Sequence, residues 1–195
     1  MGNPELAPDE RFCYKHYRTW PEGERWELIE GQAWSMSPAP LRRHQGLSGY
    51  LFLEIGTFLK GKPCKVYDAP FDVLLPESNE ADDDVDTVVQ PDIVVYCDRT
   101  KLTVAGARGA PDWVIEILSP STAKKDLSDK FDLYQRHGVR EYWIVDPDAR
   151  VIHAWRLEES GRFGKEKLYA IGEAAPSAVL EGLVVETKEL FADLD

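Results

Sequence analysis

Two carboxylates stand where a strand ordinarily carries apolar side chains. "QPDIVVY" (90–96) puts Asp92 on the strand face of Val94 and Tyr96, and "DWVIEILS" (112–119) puts Glu116 on the face of Val114 and Leu118. A carboxylate buried alone costs on the order of several kcal/mol even after relaxation, so each acid needs a partner, a proton or a metal. On neighbouring strands the two acids converge at one point. Two hard oxygen ligands with open water positions suit Mg²⁺ or Mn²⁺. A plainer account competes: Asp92 turns or caps a strand start after Pro91, and Glu116 pairs with a buried arginine or lysine. The residues alone leave both open.

A third group lies just downstream. Asp126, Lys130 and Tyr134 follow at four-residue spacing and so share one side of a helix. Lys130 falls about 60° from the centre of the Leu127/Phe131/Tyr134 stripe, at the edge of the buried face. From there its stem can lie on the sheet while its ammonium reaches toward Glu116. The competing reading is an Asp126–Lys130 surface pair, worth roughly a few tenths of a kcal/mol.

Other chemistry is weaker or excluded. "DDDVD" (82–86) lacks the Gly and Glu that a calcium loop needs at its sixth and twelfth positions, where Thr87 and Ile93 stand. His16, His44, His137 and His153 show neither HxH nor HExxH spacing, although His44 opens a helix and can approach a site. No GxGxxG, GxxxxGK[ST] or GxSxG occurs. Ser121 and Thr122 read as helix caps, and Ser119 has no evident base partner. Cys13, Cys64 and Cys97 are odd in number and widely spaced, which suits neither a disulfide framework nor a zinc site.

The elements that must position these residues are legible in outline. A short helix fits 8–19, and "RWELIEGQAWSM" (25–36) alternates around Gly31 as a hairpin. Leu47, Leu51, Ile55, Phe58 and Leu59 predict a helix over roughly 42–60, closed by Gly61 and Pro63. Strands are expected near 64–75, 90–97 and 112–119, then the helix that carries Lys130, ending at Gly138. "EYWIVDPDARVIHAWRL" (141–157) reads as two strands around "DPDAR", with short strands and a terminal helix near 187–193 beyond. This order predicts an α/β or α+β fold with a mixed sheet between helices.

Composition narrows the partners. Hydrophobic residues make up 43% of the 195, enough for a core. A net charge of −12 argues against generic, backbone-driven nucleic-acid binding. Much of it is local: residues 71–100 carry nine acids against Arg99 alone. The segment that holds Glu116 is nearly neutral, so a nucleic-acid enzyme stays admissible. No apolar run approaches the roughly 20 residues needed to span a bilayer. The N-terminal residues lack a signal peptide's order, and a cytoplasmic protein without a membrane partner is expected.

"QPDIVVY", "DWVIEILSPST", the D-x₃-K-x₃-Y of Asp126 to Tyr134 and "GVREYWIVDPDARVIHAWRL" together resemble the Uma-type restriction-endonuclease family of the PD-(D/E)XK nuclease superfamily. "WELIEGQAWSMSPAPLRRHQ" resembles that family's N-terminal hairpin and the start of its first long helix. The likeness covers about residues 20–195, in order.

The resemblance implies one restriction-endonuclease-like domain over 1–195. Its core runs from about 42 to 157, with an N-terminal helix and hairpin (8–36) and a C-terminal extension of short strands (158–195). Asp92 corresponds to the Asp of "PD" and Glu116 to the acid of "(D/E)XK". Both would bind Mg²⁺ or Mn²⁺ with help from the main-chain carbonyl of Ile117, and DNA is the implied substrate. The sequence departs from the pattern at Leu118, where the motif keeps its lysine. Lys130 is then the candidate for a migrated catalytic lysine. Lys124 and Lys125 are candidates for holding a phosphate at the helix start, and Tyr134 and His44 for supporting the site. Two further readings follow from Leu118 and the acidity: a non-catalytic, nuclease-like binding or regulatory module acting as a homodimer, and a hydrolase of small phosphoesters.

Overall fold

The structure, a computed structural model, describes residues 10–21, 23–36, 41–119 and 128–194. A four-residue helix, α1 (Tyr14–Tyr17), lies inside the segment expected to be helical. The hairpin forms as β1 (Trp26–Ile29) and β2 (Gln32–Ser35), paired Ile29 to Gln32. Its two turn residues, Glu30 and Gly31, have φ of 49° and 76°. Positive φ at both positions is what a type I′ turn requires, and that turn matches the strands' twist.

α2 (Arg42–Phe58) buries Leu47, Leu51 and Ile55, the four-spaced stripe that defined it in the sequence. The strand expected over 64–75 is two strands, β3 (Lys65–Asp68) and β4 (Asp72–Leu74), parted at the cis Ala69–Pro70 peptide. The one expected near 90–97 is preceded by its own short partner, giving β5 (Val88–Val89) and β6 (Ile93–Tyr96). Next come β7 (Gly106–Arg108), β8 (Trp113–Ile117), α3 (Asp129–Arg136), β9 (Glu141–Asp146) and β10 (Val151–Arg156). The chain closes with β11 (Lys167–Ala170), β12 (Ala174–Pro176), β13 (Val184–Glu186) and α4 (Thr187–Leu190).

A mixed six-stranded sheet, β11-β10-β9-β8-β6-β3, forms the centre, with β8 and β9 parallel and its other pairs antiparallel. A second sheet, β2-β1-β5-β4-β7, carries the N-terminal hairpin, and β12 and β13 form a separate ribbon. The central strands are apolar on both faces because both are covered. Ile93, Val95, Trp113, Ile115, Ile117 and Trp143 pack against Leu47, Leu51 and Ile55 of α2. Val94, Tyr96, Val114, Tyr142 and Ile144 pack against Leu133 and Tyr134 of α3 and against Val73 and Val89 of the second sheet. Truncating a residue such as Leu51 to Ala costs about 2–5 kcal/mol in a core of this kind.

The cysteine expectation is corrected. β3 and β6 pair antiparallel with Lys65 opposite Tyr96, so the next residues outward, Cys64 and Cys97, face each other and are joined as a disulfide. Their separation of 33 residues hides a register that only strand pairing reveals. Cys13 remains a thiol.

Candidate active site

The site lies where the chain passes from one sheet to the other. β5 belongs to the second sheet and β6 to the central one, and Gln90-Pro91-Asp92 is the link between them. The β6–β8 register pairs Ile93 with Ile115 and Val94 with Val114. One step further along it sets Asp92 opposite Glu116, and the Asp92 N–H lies 3.4 Å from Glu116 Oε2. The two acids flagged in the sequence therefore meet.

Glu116 is 3% exposed, and its solution to burial is a lysine and a phenol. Lys130 Nζ and Tyr134 Oη each donate to Glu116 Oε1 at 2.8 Å. Both come from α3, four residues apart, so one helical face delivers them together. Lys130 is itself 3% exposed, which sets aside its reading as part of a surface pair. Asp126 lies outside the described residues, as do Lys124 and Lys125. Burial first, and then the charge of Glu116, raise the Tyr134 pKa well above the ordinary tyrosine value, so the phenol stays a donor.

Asp92 is held differently. The Ile117 N–H donates to its Oδ2 at 2.8 Å, and His44 Nε2, from the first turn of α2, lies 3.1 Å from the same oxygen. An ionised carboxylate only accepts, so His44 donates through Nε2. In extended chain a residue's N–H and C=O point to the same side of the strand. The Ile117 carbonyl therefore faces the Asp92 side of β8. Leu118, in the position of the motif's lysine, packs instead against the apolar cluster that contains Tyr134 and Leu133.

One participant was missed in the sequence. Glu27 of β1 is 2% exposed and lies 2.9 Å from Lys130 Nζ, and its Oε1 accepts the Gln90 N–H at 3.0 Å. In "WELI" it reads as the polar side of a two-stranded hairpin, a face that would ordinarily meet water. The only signal was an acid between Trp26 and Leu28, the same anomaly that drew attention to Glu116. Lys130 is thus clamped by Glu27 and Glu116, and among the described residues Asp92 is the third carboxylate beside them.

Carboxylates gathered at low solvent exposure attract cations, Lys130 among them. Among the described residues, no three His, Cys, Asp or Glu side chains group to enclose a metal ion. Asp92, Glu116 and a strand carbonyl instead fit the hard divalent ions, which bind one or two carboxylates and complete their shells with water and substrate phosphate. No described helix is long and apolar enough to cross a membrane.

Comparison with known proteins places this arrangement in context. The family model described as "Uma2: Putative restriction endonuclease" matches residues 14–188. The "Uncharacterized protein slr1290" of Synechocystis sp. (strain ATCC 27184 / PCC 6803 / Kazusa) is 25% identical over 161 residues, 81% of this chain and 77% of its own. Among solved structures, a putative nuclease belonging to DUF820 from Anabaena variabilis ATCC 29413 superposes with a TM-score of 0.75. It is 21% identical, and the match covers 94% of this chain and 99% of that one.

Proposed function

The chain belongs to the Uma2 family of putative restriction endonucleases, and on that premise we propose that it is a metal-dependent phosphodiesterase acting on DNA. Asp92 and Glu116 are its metal ligands and Lys130 is its migrated lysine. The observation that carries this reading is the convergence of Asp92, Glu116 and Lys130, with the ammonium 2.8 Å from Glu116 Oε1.

Asp92, Glu116 and the Ile117 carbonyl would hold Mg²⁺ or Mn²⁺. The bound ion supplies an acidified water and charge to offset that building on the scissile phosphate. The protein's own groups keep the ligands in place. Two donors on Asp92 Oδ2 stop that carboxyl from rotating, and Tyr134 and Lys130 do the same for Glu116. Glu27 anchors the ammonium from its other side, so Lys130 is kept at Glu116, where it would orient the water or offset charge on the phosphate, rather than swinging to solvent. Lys124 and Lys125 remain candidates for gripping the substrate phosphate. Part of the chain's acidity, Asp82 to Asp84, is an exposed turn.

The test is cleavage of supercoiled plasmid, duplex and single-stranded DNA, and RNA in MgCl₂ or MnCl₂, with bis(p-nitrophenyl) phosphate as a small diester. DNA cleavage that stops with chelator and is lost in Asp92→Asn is the expected result. Turnover of the small diester alone replaces DNA with a small phosphoester. No hydrolysis of any substrate with either ion, or full activity in Asp92→Asn, overturns the reading.

A further inference from the structure

β1 presents two environments on its two faces. Glu27 points into the cluster around Lys130, while Trp26, one residue earlier, points the other way. On that side Trp26 lines a pocket of about 380 Å³ with the rings of Tyr14, Tyr17 and Trp20 and the charged Arg18, Glu24 and Asp72. This volume falls within the range of small-molecule sites, about 300–1,000 Å³. The site described above uses none of these residues.

The pocket's wall is a run of rings. Tyr14 stacks near Tyr17 at 6.0 Å between centroids, Tyr17 meets Trp20 at 5.3 Å, and Trp20 meets Trp26 at 5.4 Å. Carboxylates stand among them. Asp72 Oδ1 accepts from Tyr17 Oη and from Gln90 Nε2, each at 2.8 Å, and Glu24 Oε2 accepts from Trp26 Nε1 at 3.1 Å. Burial, and next the charge of Asp72, raise the pKa of both Tyr14 and Tyr17, so these phenols add no charge of their own.

The cation that already borders the pocket shows what the rings attract. The Arg18 guanidinium sits 5.6 Å from the Tyr14 ring centre and is ion-paired with Asp83 at 2.8 Å. It answers the acidic turn rather than Asp72 or Glu24. Ring faces carry negative quadrupole density, and the two carboxylates outnumber the one lining guanidinium, itself paired with Asp83, so the pocket favours a cation over an anion or phosphate.

We propose that this pocket is a binding site for an organic ammonium ion, held by the rings of Tyr14, Tyr17, Trp20 and Trp26 and by the charges of Asp72 and Glu24. It lies on the opposite face of β1 from Lys130 and does not depend on the nuclease reading. It is nevertheless wired to that cluster: Gln90 bonds Asp72 and Tyr17 through its side chain and Glu27 through its backbone N–H.

Titration calorimetry of the full chain with tetramethylammonium chloride tests this, against tert-butanol as a neutral probe of like size and guanosine as a stacking base. The expected result is saturable binding of tetramethylammonium, at least about tenfold tighter than tert-butanol, as cation–π contacts and nearby carboxylates together supply. It should weaken by about tenfold or more in Trp20→Leu. Glu24→Gln, at the exposed rim, keeps the test sound should changes deeper in the pocket impair folding, and it too should weaken binding. Equal affinity for tert-butanol, preference for guanosine, no binding, or binding unchanged in both variants overturns the proposal.

Discussion

Two glutamates on neighbouring strands are each 3% exposed, and they solve burial in opposite ways. Glu116 of β8 is met by a lysine and a phenol and, across the register, by the backbone N–H of Asp92. Glu141 of β9 is met by neutral dipoles that cannot move. Trp143 Nε1 and Ser177 Oγ donate to it at 2.8 Å, and the N–H groups of Ala178 and Val179 at 2.9 Å. Those donors pin the C-terminal extension to the central sheet. A buried acid is thus not itself a sign of function. The identity of its donors is what marks Glu116, and not Glu141, for the proposed site.

The sharpest way to break this comparison is to neutralise both acids. Glu116→Gln should reduce cleavage by roughly a thousandfold, the loss seen when preorganised charge is removed from a reacting centre. Glu141→Gln, compared at equal folded fraction, should stay within about twofold, since no reacting group depends on its charge. Equal losses in a DNA-cleavage assay would erase the distinction.

Lys130→Met asks whether the ammonium also holds the fold together. Removing it leaves Glu27 and Glu116 facing each other while buried, which costs about 3–5 kcal/mol in urea denaturation. Added Mg²⁺ should restore part of that stability, because an ion bound near Glu116 replaces the missing charge. A variant as stable as the parent, and indifferent to Mg²⁺, would remove Lys130 from the cluster's electrostatics.

For the structural acid the readout is stability. Glu141→Gln should lose about 1–3 kcal/mol at neutral pH, as a side-chain NH₂ confronts N–H and O–H donors. Burial raises the pKa of Glu141 above its ordinary 4.5, outweighing the lowering by its hydrogen bonds. Between 4.5 and that raised value the folded chain binds the extra proton. This contribution is full below 4.5 and lost as pH rises through the folded-state pKa. The parent's margin over the glutamine variant should therefore widen as pH falls toward 4.5. A margin that narrows would show the donors prevailing over burial.

The smallest effect belongs to Tyr134→Phe, which removes one of the donors described for Glu116 Oε1. About 1 kcal/mol of stability and less than about tenfold in turnover should go. A loss as large as that of Glu116→Gln would make the phenol a reacting group.

Much of this arrangement was legible in the sequence because it is local. Alternation fixed the faces of Asp92 and Glu116, four-residue spacing put Lys130 and Tyr134 together, and the Leu47/Leu51/Ile55 stripe identified α2. What was not legible depends on what covers a face. Glu27 sits on the polar side of an ordinary hairpin, and Glu141 opens a strand; neither differs in pattern from a solvated residue. Cys64 and Cys97 needed a register, and the break at Pro70 needed the second sheet to receive β4.

Sequence by itself determined the periodicities, the unusual acids in apolar strands, the turn at Glu30–Gly31 and the family resemblance that family-model matching over residues 14–188 bears out. Only tertiary structure decided which acids share the lysine and which are tied down by backbone. The physical reason is distance along the chain. Periodicity tells a residue which way to point, but Glu27, Glu116 and Lys130 come from three separate elements and Asp92 from a link between two strands. They meet only when two sheets and a helix close over the same few ångströms of excluded water.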